Sequence, residues 1–303
     1  MSELRFDGRV AVVTGAGRGV GREYALLLAA KGAQVVVADV GAGLTGTGGS
    51  AQPADAVVAE IREAGGSAVA SHASVAEQDS AARIVETALE TFGRIDVVVN
   101  NAGIHDPAPF AVLTAAQFRR MLEVHYLGTV FVTQAAWPHM ITAGYGRIVN
   151  TVSEAMLGGI TQLSSYGAAK GAVFGLTRNL ATEGRPHGIR VNAVAPRAFT
   201  RLSAAHSETL AAEMSMPMDV MDQINASMPP GLCAPAVAFL AHESCPLNGE
   251  VLQTGMGGVA RIAVVCAKGI SSPSISAEEI ADRIDEVLDV SDGYVAETAG
   301  MQQ

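Results

Sequence analysis

The chain has 303 residues, 49% hydrophobic and 17% charged, with 33 glycines and a formal net charge of −10 at pH 7. That balance builds a globular core and excludes a disordered chain, and the negative charge excludes generic binding to nucleic acid or an anionic membrane. Three dispersed cysteines, Cys233, Cys245 and Cys266, form no CxxC pair, which argues for a reducing, cytoplasmic location and against a disulfide framework or a metal site.

Short runs rich in Val and Ile alternate with Ala-rich stretches of helical period, and no apolar run approaches the roughly 18 residues a membrane span needs. Residues 10–13 predict a first strand, and Thr14-Gly15-Ala16-Gly17-Arg18-Gly19-Val20-Gly21 joins it to a helix over 19–30. Glycines there permit a tight turn and let backbone N–H groups approach a pyrophosphate at the helix N-terminus. A second strand, 34–37, runs into Asp39, about twenty residues past the glycines. A carboxylate in that place accepts hydrogen bonds from ribose hydroxyls and repels a 2′-phosphate, so it selects NAD. Arg18 pulls the other way, as a cation able to pair with such a phosphate, but Asp39 sits where the phosphate must go.

A Gly-, Thr- and Ser-rich loop over 41–53 precedes a helix over 54–64, a strand over 68–71, a helix over 77–91 and a strand over 95–99. Asn100-Asn101-Ala102-Gly103 then lays small and amide residues along the cofactor's path. A long helix over 115–143, strand 147–151, helix 165–183 and strand 190–195 follow, and a last strand near 250–253 closes the sheet. Nearly continuous apolar strands alternating with helices predict an α/β fold, a doubly wound, mostly parallel, Rossmann-type sheet with helices on both faces. Residues 1–270 form this NAD-binding and catalytic domain. Its lid, at about 197–230, holds Met214, Met216, Met218, Met221 and Met228, thioethers that adapt to a bulky apolar ligand or simply fill core. Residues 271–303 form a C-terminal extension with one short helix, 277–288, and a polar tail.

The chemistry concentrates between Ser153 and Lys170. Ser153 follows the fifth strand at its carboxyl end, where open α/β sheets place their sites. Tyr166 opens the next helix, and Lys170 at i+4 shares its face. A free phenol has a pKa of roughly 10, too high for a base near neutrality. A nearby ammonium and the positive nicotinamide of an oxidised cofactor favour the phenolate, and Ser153 can hold the substrate oxygen within reach of Tyr166.

Taken together, Thr14 to Gly21, Asp39, Asn100 to Gly103, Ser153 and the Tyr166/Lys170 pair resemble the short-chain dehydrogenase/reductase family. The resemblance implies that Ser153, Tyr166 and Lys170 are catalytic. It further implies that Gly15, Arg18, Gly19, Gly21, Asp39, Asn101, Ala102, Gly103, Tyr166 and Lys170 contact NAD. In that family an Asn in the long preceding helix completes a tetrad; here His125 stands at that position, as a proton-relay residue or a packing one. His125, the run Gln134 to Met140, Tyr145 to Ile148, His242 to Cys245 and the loop after Asp39 look like the (3R)-hydroxyacyl-CoA dehydrogenase unit of peroxisomal multifunctional enzymes. Two departures from that pattern stand out. Ala73 replaces an acidic residue expected near the adenine, and Pro196-Arg197-Ala198-Phe199-Thr200 replaces a Pro-Gly turn at the lid entry. Arg197 and Arg201 at the mouth are either partners for CoA phosphates or solvated charges.

The expected activity is NAD-dependent oxidation of a secondary alcohol to a ketone, with a 3-hydroxyacyl-CoA as first reading and a free bulky alcohol such as a hydroxysteroid as second. A non-catalytic dinucleotide-binding protein is a third reading, opposed by Ser153, Tyr166 and Lys170, which mere binding does not need. The resemblance also implies a homodimer or homotetramer built through the helices predicted at 115–143 and 165–183.

Overall fold

The computed structural model describes residues 3–296. Its centre is an eight-stranded sheet: β1 (Val10–Thr14), β2 (Gln34–Ala38), β3 (Ser67–Ser71), β4 (Val97–Asn100), β5 (Gly146–Thr151), β6 (Ile189–Pro196), β7 (Val251–Gly255) and β8 (Gly258–Ile262). The strand order is β3-β2-β1-β4-β5-β6-β7-β8. All neighbours are parallel except β7 and β8. The doubly wound α/β sheet read from the sequence is therefore present. β8 was not expected; it folds back beyond the strand predicted to close the sheet, and its outer position leaves it largely exposed.

The parallel strands are buried on both faces, β1, β4 and β5 along their whole length, which is why they read as apolar runs and not as alternations. One face packs on α1 (Gly19–Ala30) and α2 (Gln52–Glu63), where Tyr24, Leu28, Val57 and Ile61 meet Val13, Val35 and Val99. The other face packs on α3 (Gln78–Phe92), through Ile84 and Val85. The direction of winding reverses between β1 and β4, and open α/β sheets bind ligands in the crevice at such a point.

The predicted helix 115–143 is interrupted. It consists of α4 (Ala115–Leu122), a π-turn at Glu123–Leu127, and α5 (Gly128–Ala143). α4 is capped by Thr114 and Gln117 in a reciprocal capping box, and α5 ends at Gly144 in the left-handed region. The wide turn inserts one residue into the helical ladder, and Thr129 Oγ1 donates to the carbonyl of His125 at 2.8 Å. α6 (Ser164–Gly184) carries Tyr166 and Lys170 in its first two turns.

After β6 the lid is helical: α7 (Arg201–Ala204), α8 (Ser207–Glu213) and α9 (Met218–Ala226), followed by α10 (Ala234–Ala241), which joins α1 and α2 on the first face. The C-terminal helix expected over 277–288 is two short helices, α11 (Ala277–Asp282) and α12 (Ile284–Leu288). The chain breaks at Arg283, whose guanidinium bridges Glu279 and Glu286. Part of the expected polar tail is ordered: β9 (Val265–Cys266) pairs antiparallel with β10 (Tyr294–Val295), and Arg178 of α6 donates to the carbonyl of Ala296. The rest of that tail, 297–303, lies outside the described residues.

Candidate active site

The glycine loop is held from beneath by polar side chains of β1 and β4. Thr14 Oγ1 accepts from the backbone N–H groups of Asn101 at 2.9 Å and Ala102 at 3.1 Å. Asn101 Nδ2 donates to the carbonyls of Thr14 at 3.0 Å and Gly15 at 3.1 Å. Two of the glycines are required by contact. Gly15 has φ +63, and a Cβ there would lie 2.7 Å from Ala102 Cα; a Cβ on Gly21 would lie 2.3 Å from the Gly15 carbonyl oxygen and 2.4 Å from Asn101 Nδ2. Arg18 is extended at the N-cap of α1 and makes no side-chain capping bond, so no side chain occupies the helix's first N–H groups.

Asp39 lies against this loop. One carboxylate oxygen accepts from Gly17 N–H at 2.8 Å and the other from Gly41 N–H at 2.6 Å. Both bonds fix the carboxylate's orientation, and each oxygen keeps a further lone pair for a ligand hydroxyl. Arg18 and Arg201 both reach the carbonyl of Ala42, at 3.4 and 3.2 Å. Burial and the neighbouring Arg18 lower the pKa of the Arg201 guanidinium.

These groups line a cavity of about 850 Å³ that runs from Asp39 past Gly15, Gly19, Ala102 and Gly103 to Ile104 and Val124. Ile104 and Val124 pack in turn with Tyr166. A floor of glycines and alanine, an acidic group at one end and a tyrosine beyond the other suit an extended nicotinamide dinucleotide. Ala73 lines the same cavity. Arg197, by contrast, is committed to Glu154 by two bonds of 2.7 and 2.8 Å. None of the five lid methionines lines this cavity; Met214 and Met218 are exposed and Met221 is buried in the lid's own packing.

The catalytic candidates meet at the carboxyl end of β5. The Ser153 hydroxyl accepts from Ala155 N–H at 3.2 Å and stands close enough to the Tyr166 phenol to hold its pKa down. Lys170 is buried, donates to the carbonyl of Thr151 at 2.6 Å, and holds its Nζ 5.7 Å from the centre of the Tyr166 ring. Burial lowers the Lys170 pKa from 10.5 to about 7. Burial also raises the Tyr166 phenol, with the Ser153 hydrogen bond opposing it. The lowered phenol expected from the sequence draws on the positive nicotinamide as well as the ammonium; in the chain alone, lost hydration sets the direction.

His125 is brought to the same place by the π-turn. Its ring stands edge-on to Tyr166 at 5.2 Å, and its Nε2 lies 2.9 Å from the Ile104 carbonyl and 3.1 Å from the Ile104 nitrogen. Burial, with Lys170 nearby, pushes its pKa well below 6.5, and its buried Nδ1 has no partner among the described residues. Gly103 must be glycine for this ring to fit, since a Cβ there would lie 2.5 Å from His125 Cε1.

Sequence reasoning missed two groups. Asn100 does not line the cavity; it joins a buried chain Thr133–Asn100–Asn150–Thr177, each link 2.9 Å, that ties β4 and β5 to α5 and α6 beneath the site. His105 and His206 are also buried near Tyr166. The only signal for His105 was an imidazole directly after the Asn-Asn-Ala-Gly-Ile run; nothing in the sequence distinguished His206.

Comparison with known proteins agrees with this geometry. The short chain dehydrogenase family profile matches residues 9–211, and the chain belongs to that family of oxidoreductases. A Mycobacterium tuberculosis protein classed as a short-chain type dehydrogenase/reductase is 42% identical over 95% of this chain and 96% of its own length. Peroxisomal multifunctional enzyme type 2 of Mus musculus is 43% identical over 86% of this chain, which spans only 33% of that enzyme. Among solved structures, a 7α-hydroxysteroid dehydrogenase complexed with NADH and 7-oxo glycochenodeoxycholic acid superposes with a TM-score of 0.72 at 29% identity, covering 85% of this chain and 98% of its own. Among the described residues no single helix is long and apolar enough to cross a membrane.

Proposed function

We propose that the chain is an NAD-dependent dehydrogenase that oxidises a secondary alcohol to a ketone, with Tyr166 as base and a 3-hydroxyacyl-CoA as substrate. The observation that carries this reading is Ser153 beside the Tyr166 phenol with Lys170 Nζ 5.7 Å from the centre of its ring, past the end of the cavity opposite Asp39. Ser153 donates to the alcohol oxygen and holds it against the phenol, Tyr166 takes the hydroxyl proton, and Lys170 as an ammonium stabilises the phenolate. When bound, NAD supplies the hydride acceptor. The hydroxyacyl-CoA substrate is supported by the likeness to the multifunctional enzyme. A free hydroxysteroid is the second reading, supported by the hydroxysteroid dehydrogenase neighbour. Initial rates with NAD on matched hydroxyacyl-CoA and hydroxysteroid substrates separate the two, and absence of hydroxyacyl-CoA turnover rejects the first.

NAD over NADP is supported by Asp39, both of whose oxygens are already aimed by backbone N–H groups. Asp39→Ala is expected to raise the KM for NAD and, with Arg18 and Arg201 left unopposed, to admit NADP, shifting the NAD/NADP preference by roughly tenfold or more. Unchanged preference in kcat/KM argues against this role. For His125 we propose the relay function, supported by its neutral ring and partnerless Nδ1 beside Lys170. His125→Asn should then retain most turnover, while His125→Leu should lose roughly tenfold or more in kcat with little change in NAD affinity. Equal effects of the two substitutions would assign His125 to packing.

The expected homodimer or homotetramer and the cytoplasmic location complete the proposal. The location is supported by three cysteines that are all free thiols. Sedimentation of the full chain and imaging against a peroxisomal marker test them.

A further inference from the structure

Two buried imidazoles beside Tyr166 are used by no step above. His105 follows Ile104 beyond the end of β4, and His206 lies in the lid between α7 and α8. The His105 ring meets Tyr166 edge to face at 5.7 Å and His206 edge to face at 6.1 Å, so His105 touches both the base and the lid. His105 is 9% exposed and His206 7%, yet His105 Nε2 and both nitrogens of His206 have no hydrogen-bond partner among the described residues. The adjacent carboxylate of Asp106 is engaged elsewhere, accepting from Gln117 Nε2 at 3.0 Å.

The backbones that carry the two rings are fixed. His105 N–H donates to Leu44 in the loop after β2 at 2.9 Å, and His206 N–H donates to Ser203 at 3.0 Å while its carbonyl caps Leu210 at 3.0 Å. Burial and the nearby His206 hold His105 at about 4, so it is neutral near pH 7. Folded chains pair their buried polar atoms, because enclosing one without a partner forfeits its hydration for nothing in return. Three such atoms, one on the ring against the base and two on the ring against that one, are therefore placed for a partner that comes from outside the chain. Each imidazole carries an N–H donor, and two donors from separate elements match the two lone pairs of a single carbonyl or carboxylate oxygen.

We infer that His105 and His206 are specificity residues that hold a second acceptor oxygen of the substrate, set back from the hydroxyl that Tyr166 deprotonates. This rests on the dehydrogenase reading and narrows its substrates to alcohols with a carbonyl or carboxylate close to the reacting carbon, a class that includes β-hydroxyacyl groups. An alcohol lacking that oxygen leaves both imidazoles unpaired in the closed site, a mismatch that discriminates more strongly than a missing methylene does. Because His206 belongs to the lid, the same oxygen draws the lid onto the substrate.

The test measures kcat/KM of the full chain with NAD on 3-hydroxyoctanoyl-CoA, 3-hydroxyoctanoate and 2-heptanol. These share the reacting carbon and alkyl chain but carry a thioester carbonyl, a carboxylate or neither. The wild-type chain is expected to prefer an oxygenated substrate, and whichever is faster identifies the oxygen's source. His105→Leu and His206→Leu are each expected to reduce the preference over 2-heptanol by roughly tenfold or more, and His206→Gln, which keeps an N–H, to recover part of it. Calorimetric binding of the same oxygenated compounds to the NADH-loaded chain, where no oxidation follows, should weaken in parallel. A preference for 2-heptanol, or variants that lower all three substrates equally or none, overturns the inference and leaves the dehydrogenase reading standing. If no alcohol is turned over, the dehydrogenase reading itself fails, and unchanged calorimetric affinity in His206→Leu then rejects the oxygen site separately.

Discussion

Tyr166→Phe is expected to slow alcohol oxidation by roughly 10²–10⁴-fold, the range that a positioned general base contributes. The substitution removes one oxygen and leaves the ring, which packs with Ile104, Met121 and Ala169 and stands edge-on to His105 and His125. The fold and the cavity lined by Gly15, Asp39 and Gly103 should therefore survive. NADH binding, followed by fluorescence titration, should change little, so that the loss falls on kcat and not on cofactor affinity. Turnover that persists near the wild-type rate would remove Tyr166 from the mechanism.

Lys170→Met is expected to give the second large effect, and it has two signatures. Activity should fall by a comparable factor, because the variant withdraws the positive charge nearest the Tyr166 ring. Stability should move differently. A buried ammonium whose pKa falls from 10.5 to about 7 implies a cost on the order of 5 kcal/mol at low pH, offset in part by the bond to the Thr151 carbonyl. The unfolded chain binds this proton more tightly than the folded one, so wild-type stability rises with pH between about 7 and 10.5, by at most roughly 1.4 kcal/mol per pH unit. His105 and His125 titrate below this window, and the raised Cys233, at about 11, acts only above 9. Denaturant unfolding between pH 7 and 9 thus isolates Lys170: the wild type should show the slope and Lys170→Met should lose it. Parallel slopes in both proteins would contradict the buried-ammonium account.

The order of strands and helices, the glycine turn, Asp39, Ser153 and the Tyr166/Lys170 pair were all legible along the chain. Each depends on local signals: apolar runs for strands buried on two faces, turn glycines, and side chains one helical turn apart. The clamp that the Asn101 amide places on the glycine loop, through Thr14 and Gly15, left no mark in the sequence. The break at Arg283 and the strand β8 escaped because neither changes the apolar pattern enough to mark it.

The sequence by itself determined the doubly wound sheet and the place of Ser153, Tyr166 and Lys170 in the order of its elements, because periodicity and spacing are properties of the chain read in order. Only the tertiary structure decided how those groups behave. Burial raises Tyr166 and lowers Lys170, and no spacing reports a local dielectric. The π-turn swings His125 under the Tyr166 ring by adding one residue to a helical turn, a change without compositional trace. The lid brings His206 to His105 across a hundred residues of chain, and their unpaired nitrogens become visible only when the folded surface has closed around them.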